Sequence, residues 1–481
     1  MPAARMRGAA PSACALFLAG CTLNPIGVAA DDCPISRVTL DGACCAPWSR
    51  AEGFDCVSRS WSLWEDPVDE AAADPVVAVA PGGDVALAWV HVVSPAITAV
   101  MTAHERDGLV LRSPTAPLEG RVEDARIAVG TDGTTTVAWR RVSDGGTQIE
   151  ASTMTLEGAW RANPEPLSFA PSANEPEVAT GAGGEVVVAW NQWADDHLGV
   201  AVAQRRVGAP DFDRPGDAFD QLSPPVAFSN DPVIAMNPRG DGIICWFQSV
   251  GGTLATLVSE RRGPSGAFEM ATGADALSPL DTPVEDPVVA LADDGQAVVA
   301  WRQELSDGKA AIFLAERDAS GTWRAPSSLD SSFSEPVEQA WDVRVAMSAE
   351  GHAFVVWEEK RGADFVIVAA VRAPDGEWLV DGRAPTQLST PGVSAIDPAV
   401  AVGRDGHVVA AWTELSSPAW RVVGARSTYS EGEAGAWTSP EVLSADDGGS
   451  ASGVALAVGG DSDRVALAFV QGARLRLATV D

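Results

Sequence analysis

The chain is 481 residues long and carries 33 basic against 66 acidic residues, a formal net charge of -33. That balance excludes a general nucleic-acid binder, because a phosphate backbone needs a basic footprint, and no apolar run is long enough to span a bilayer as a helix. With 46% apolar residues, 46 Gly and 33 Pro against 21% charged residues, the composition suits short strands joined by turns better than helices.

The N-terminus reads as an export signal. Arg5 and Arg7 give a positive start, and a weakly apolar stretch from Gly8 to Gly20 follows, too short to span. It ends in Leu18-Ala19-Gly20-Cys21, which resembles the lipobox of bacterial lipoproteins. The resemblance implies that residues 1–20 are a signal peptide and that Cys21 is acylated as the first mature residue. Thr22 in second place then favours the outer membrane or cell surface, with a lipid anchor as the membrane relation.

A Cys-rich segment spans residues 21–57. Cys33, Cys44, Cys45 and Cys56 sit close together in a turn-rich stretch with no nearby His. In an exported chain this favours disulfides over a metal site. A bond between the neighbours Cys44 and Cys45 is strained, which leaves Cys33–Cys44 with Cys45–Cys56, or Cys33–Cys45 with Cys44–Cys56.

From residue 58 to 481 the chain is built of copies of one pattern. DPVVAVAPGGDVALAW (Asp74–Trp89) is followed by segments ending at Trp139, Trp190, Trp246, Trp301, Trp357 and Trp412, spaced 50 to 56 residues apart. A weaker eighth copy runs Gly453–Phe469, with Phe in place of Trp. Each copy reads as a hairpin. An apolar strand with an invariant Ala (Ala78 in the first) leads to a tight turn with Gly (Gly83), then to a second strand that ends on the Trp. Apolar residues on both faces mean that both faces are covered. Cys245 replaces a small residue before Trp246 and reads as a buried, inert thiol.

A third strand follows each hairpin, then a turn with Gly and an aromatic (Gly321 and Trp323), then a fourth strand ending in Leu-Ser or Leu-Asp. Four short antiparallel strands per repeat make a β-propeller blade. The expected fold is all-β: a single propeller of eight four-stranded blades, with seven as the alternative if the last repeat packs elsewhere. The last blade lacks its fourth strand, and Ser58–Pro67 is expected to supply it and close the ring.

At these residues the chain resembles the sialidase-type propellers, whose Asp-box hairpins join the third and fourth strands. The match is Glu316–Trp323, where Asp318, Thr322 and Trp323 fall in step with the box and Gly321 is one place off. The resemblance implies the architecture. The family's chemistry does not follow, since its arginine motif is absent and the sole tyrosine, Tyr429 near Glu431, lies in a turn on the face opposite the usual site.

The site is expected at the channel end where the innermost strands begin. Seven copies start with an acid: Asp74, Asp124, Glu175, Asp231, Asp286, Asp342 and Asp397. A carboxylate accepting backbone N–H bonds at each loop is the simplest reading. No cofactor is expected, although a ring of carboxylates can also hold a cation, with oxygen ligands favouring Ca²⁺. The residue two after each Trp is always polar, including His91, Arg141, Glu359 and Glu414. Trp193, Trp341 and Trp420 belong to no repeat position and are candidate contacts for a sugar or a protein. The expected function is non-catalytic binding of a glycan or protein partner by a monomeric surface lipoprotein, without nucleic acid. The alternatives are a hydrolase or lyase using Glu359 and Glu414, and a structural part of an envelope assembly. No catalytic constellation is legible.

Overall fold

The computed structural model describes residues 49–480, except 53–54, 59, 65–67, 95, 107–108, 115–120, 155–158, 195, 218–219, 225–227, 265, 281, 377, 379–384, 404–406, 431–432, 435, 447–448 and 460–463. Two units are described separately. The smaller contains an antiparallel hairpin, Ser49–Glu52 with Asp55–Ser58. The expectations for Cys21, Cys33, Cys44 and Cys45, and for the Cys56 side chain, lie outside the described residues.

The larger unit, Trp61–Val480, is a propeller of eight antiparallel blades. The innermost strands are Ala72–Val79, Arg121–Val129, Ala173–Thr180, Ser229–Met236, Val284–Leu291, Ala340–Met347, Ala395–Val402 and Ala451–Val458. Each touches the innermost strands of both neighbours, and the eighth touches the first, so the ring is shut. The second and third strands pair outward in order, for example Ala297–Glu304 and then Ala310–Arg317. In blades three and four the fourth position is reduced to single bridges, Gln204 to Asp213 and Leu257 to Ala276.

The closing strand comes from the N-terminal side, as the repeat arithmetic requires. Ser62–Leu63 pairs antiparallel with Arg474–Val480, Ser62 opposite Thr479. Trp64 and Val68 then donate backbone hydrogen bonds to Leu477 and Leu475 at 3.0 and 2.8 Å.

The core lies between blades. One cluster joins Ile243 and Cys245 of blade four to Val299, Trp301 and Phe313 of blade five. This is why the strands are apolar on both faces. The seven repeated Trp rings and Phe469 are buried, and removing such a ring from a packed interior costs about 3–5 kcal/mol. Cys245 is a free, fully buried thiol whose pKa is pushed up by loss of solvent. The hairpin turns need Gly where φ is positive: Gly83 stands at φ 92 and donates to the Ala80 carbonyl at 2.9 Å.

Candidate functional site

The end at which the innermost strands begin is called the upper face. The repeated acids stand just inside it, within the strands rather than in the loops that precede them. All seven have left-handed backbone, φ 47 to 55. Each sits at a β-bulge, where two residues of the innermost strand oppose one residue of the next. Asp74 and Pro75 lie between the pairs Ala73–Val90 and Val76–Ala88, opposite Trp89. A bulge residue with positive φ is tolerated best by Gly, Asn or Asp, and the eighth copy has Gly453 there at φ 66. The acid is thus partly a backbone requirement, repeated because the bulge is repeated.

The bulges nevertheless gather carboxylates near the axis, and their charges interact. Burial raises the Asp231 pKa to about 7, helped by a hydrogen bond and repulsion from Glu175 and by repulsion from Glu285. Burial also raises Asp286, with Asp342, Asp231 and Glu285 adding repulsion. Asp397 is raised by burial and by Asp342. Glu358 is raised to about 7 by burial, Asp342 and Asp397. Guanidinium groups offset part of this charge, Arg344 on blade six against Asp286 and Asp397, and two arginines on blade two. There Arg140 lies 2.8 Å from Asp124, and Arg126 lies 2.7 Å from Glu177 and is further held charged by Asp124 and Asp74. Among the described residues no group of three or more His, Cys, Asp or Glu is placed to hold a metal ion.

The polar residues two places after each Trp have a structural occupation. Residues i and i+2 of a strand share a face, so each such side chain lies beside its own indole. Trp190, Trp246 and Trp301 donate Nε1–H to Gln192, Gln248 and Gln303 at 3.1, 3.1 and 3.2 Å. Trp357 and Trp412 donate to Glu359 and Glu414 at 3.0 Å each. Glu359 also accepts from Arg361 at 2.6 Å, and Glu414 from the Thr390 backbone N–H at 2.7 Å. In the first blade Asp69 takes this part, accepting from Trp89 at 2.7 Å and contacting His91 Nδ1 at 2.8 Å. Against the opposing effect of burial, the Ala71 backbone N–H at 2.9 Å, the indole and His91 draw the Asp69 carboxyl below its usual range. Arg141 cannot accept; it pairs with Glu150 through two contacts, and the Trp139 indole N–H has no partner among the described residues. Where Phe469 has no N–H, Gln471 instead holds the loop that leads into the innermost strand of its blade, through Ala445 and Gly449.

In blades two, three and five it is the residue immediately after the Trp that reaches the acids at the strand starts, a position with no constant chemistry in the sequence. Arg140 bonds Asn174 of the next blade at 3.1 Å, Asn191 bonds Glu175 and, at 2.5 Å, Asn230, and Asn230 bonds Asp231 at 2.7 Å. Arg302 bonds Glu285 at 2.5 Å and lies 4.0 Å over the ring of Trp341. These contacts tie neighbouring blades together around the channel mouth. Only the alternation of strand faces, read together with the bulge, would have singled out this position.

The three unrepeated Trp residues lie in strand ends on blades three, six and seven, and no ring contact joins them among the described residues. Trp341 is held by Arg302. Trp420 is partly buried, its backbone N–H bonded to Ser450 at 3.0 Å. Trp193 is 42% exposed. It is not alone: among the described residues, seven of the ten exposed large apolar side chains lie at the upper face. These are Val92, Val93, Ile97, Trp193, Phe228, Leu280 and Leu415. The side chain of Tyr429, and Glu431, lie outside the described residues. At the lower end of the fifth blade, Asp318 closes its hairpin turn by accepting from the Ser320 and Thr322 backbone N–H groups at 2.9 Å each.

No family model matches the chain, and no curated protein matches it. Among solved structures the chain is similar to several at low identity. A protein of unknown function from Dyadobacter fermentans DSM 18053 is 13% identical, covering 88% of this chain and 97% of its own, with TM-score 0.41. The polysaccharide lyase Uly1 is 10% identical over 74% of this chain and 88% of its own, TM-score 0.46. The Hadza microbial sialidase Hz136 is 12% identical over 80% and 74%, TM-score 0.37. The eight blades themselves rest on this chain's own strand pairing.

Proposed function

We propose that the protein is a non-catalytic recognition propeller, held at the outer membrane or cell surface through a lipidated Cys21, that docks a macromolecular partner on its upper face. The gathering of exposed apolar side chains at that face carries this reading. Single exposed apolar residues are ordinary, but their concentration at one end of a chain of charge -33 is the mark of an interaction surface. Five of the seven are aliphatic, which favours a protein partner over a sugar. The glycan reading rests on Trp193 alone, whose open ring could carry a sugar stack. Glu359 is taken up by an indole and the Arg361 guanidinium, and Glu414 by an indole and a backbone N–H, so a hydrolase built on them is not favoured.

Affinity capture from an envelope extract and a glycan array, both with the full chain and with Val93→Asp and Trp193→Ala, test this. Capture of one defined protein, lost in Val93→Asp with the fold intact, is the expected result. A glycan hit lost only in Trp193→Ala would favour the sugar reading. Binding unchanged in both variants would sink the assignment of this face. Turnover of a glycoside, abolished by Glu359→Gln or Glu414→Gln, would replace it with an enzyme.

A further inference from the structure

A second site lies at the opposite, lower end of the molecule. There the third strands of blades four, five and six are joined by ion pairs. Arg317, the last residue of its strand, lies 2.9 Å from Glu260 of the preceding blade, and Arg372 lies 3.2 Å from Glu316. The same carboxylates accept the indole N–H of Trp323 and, at 2.6 Å, of Trp378, which fill the crevice between blades. Arg261 is held by Glu185 at 2.6 Å and by Gln204 at 3.0 Å.

No such ion pair joins blades two and three among the described residues. The strand registers place Thr153 where Glu260 and Glu316 stand, and Arg205 where Arg317 and Arg372 stand. Arg205 therefore has no carboxylate within ion-pair distance among the described residues. It makes a 3.5 Å contact with the Gly184 carbonyl and lies 5.7 Å over the ring of Phe212. The crevice between these two blades holds a cavity of about 550 Å³, the size of a small-ligand site. Arg161 and Arg206 also line it, with Thr134, Thr153 and Asn163 as polar walls. Its own carboxylate, Asp132, accepts from the Thr134 backbone N–H and hydroxyl at 3.0 and 2.8 Å, and Arg161 is 2.9 Å from Asp211. In a chain of charge -33, three guanidinium groups converge on this one space.

We infer that the cavity between blades two and three binds a small organic oxyanion, a carboxylate or sulfate carried on a polar, ring-sized body, with Arg205 as its principal ligand. The missing Glu leaves the anion's place open, and an oxyanion of the ligand takes it with the forked hydrogen bonds that guanidinium groups make to carboxylate and sulfate. Burial presses against the charge of Arg205, Asp132 partly supports it and Arg161 opposes it, with a net downward shift; a bound anion adds to the support. This site is independent of the upper face and of the function proposed for it.

The test is isothermal titration of the full chain with glucuronate, with glucose 6-sulfate and with glucose. The acidic sugars are expected to bind with a salt-sensitive affinity and glucose to bind at least about tenfold more weakly, the worth of one charge-assisted contact. Arg205→Gln should lose that selectivity. Thr153→Glu introduces the residue that blades four and five carry at this position, and should quench the site by supplying the anion internally. Thermal unfolding of both variants establishes that they are folded, and Arg205→Gln, at a half-buried position, serves if Thr153→Glu is not. A preference for one acidic sugar identifies the oxyanion. Absence of binding by either, equal binding of glucose, or unchanged binding in the folded variants overturns the inference.

Discussion

A buried indole N–H must find an acceptor, and the repeat supplies one two residues further along the same strand face. The rule explains why Gln and Glu both suffice and why their identity varies without consequence for the fold. It also exposes a defect: in blade two the acceptor position is Arg141, and the Trp139 N–H is unpaired among the described residues. Arg141→Gln is expected to stabilise the protein by about 1 kcal/mol, because a satisfied buried donor outweighs the part-exposed pair with Glu150. Urea unfolding of the variant checks this; a lower midpoint would show that the Glu150 pair matters more. The polarity of the position was legible in the sequence. Its role was not, because an acceptor beside an indole and a rim open to ligand have the same composition.

At the level of the strand, burial decides what an ion pair is worth. Glu185 and Arg261 face one another across two blades with side chains 1% and 0% exposed and two hydrogen bonds of 2.8 and 2.6 Å. Glu185→Gln leaves a buried guanidinium with only Gln204 to answer it and should cost about 3–5 kcal/mol. Lys309 and Asp307, 3.5 Å apart and about half exposed, belong to the other class. Asp307→Asn should change stability by no more than about 1 kcal/mol. Denaturant unfolding of the two variants side by side measures the contrast, and equal costs would refute the burial argument. The hairpins, their turns and the fourth strands were readable from periodicity and Gly positions. The bulge was not, since two residues opposing one leaves no mark except an acid or Gly at a fixed place.

Across the whole ring, carboxylates of five blades lie close enough to oppose each other's ionisation. Asp231 and Glu358 ionise near pH 4 in an unfolded chain and at about 7 in the folded one. The folded state therefore holds more protons between these values. The stability this contributes is full below about pH 4 and is lost as pH rises through about 7. The melting temperature should fall from pH 5 to pH 8, and Asp231→Asn with Glu358→Gln should flatten that fall. Asn is also at home in the left-handed backbone at residue 231. A pH profile identical in wild type and double variant would show that Asp231 and Glu358 ionise normally.

The repeat period, the strand count, the closing strand and the interleaved apolar faces were determined by the sequence alone. They depend on local periodicity and on a unit that cannot bury its surfaces unless copies stack. Only the tertiary structure decided which polar residues serve the fold and which are left free. That distinction depends on the partner each side chain meets across a blade boundary. Thr153 and Arg205 lie 52 residues apart, and nothing in either residue shows that one lacks the carboxylate the other needs. Their register across neighbouring blades shows it, because the ring brings the two strand ends to one cavity.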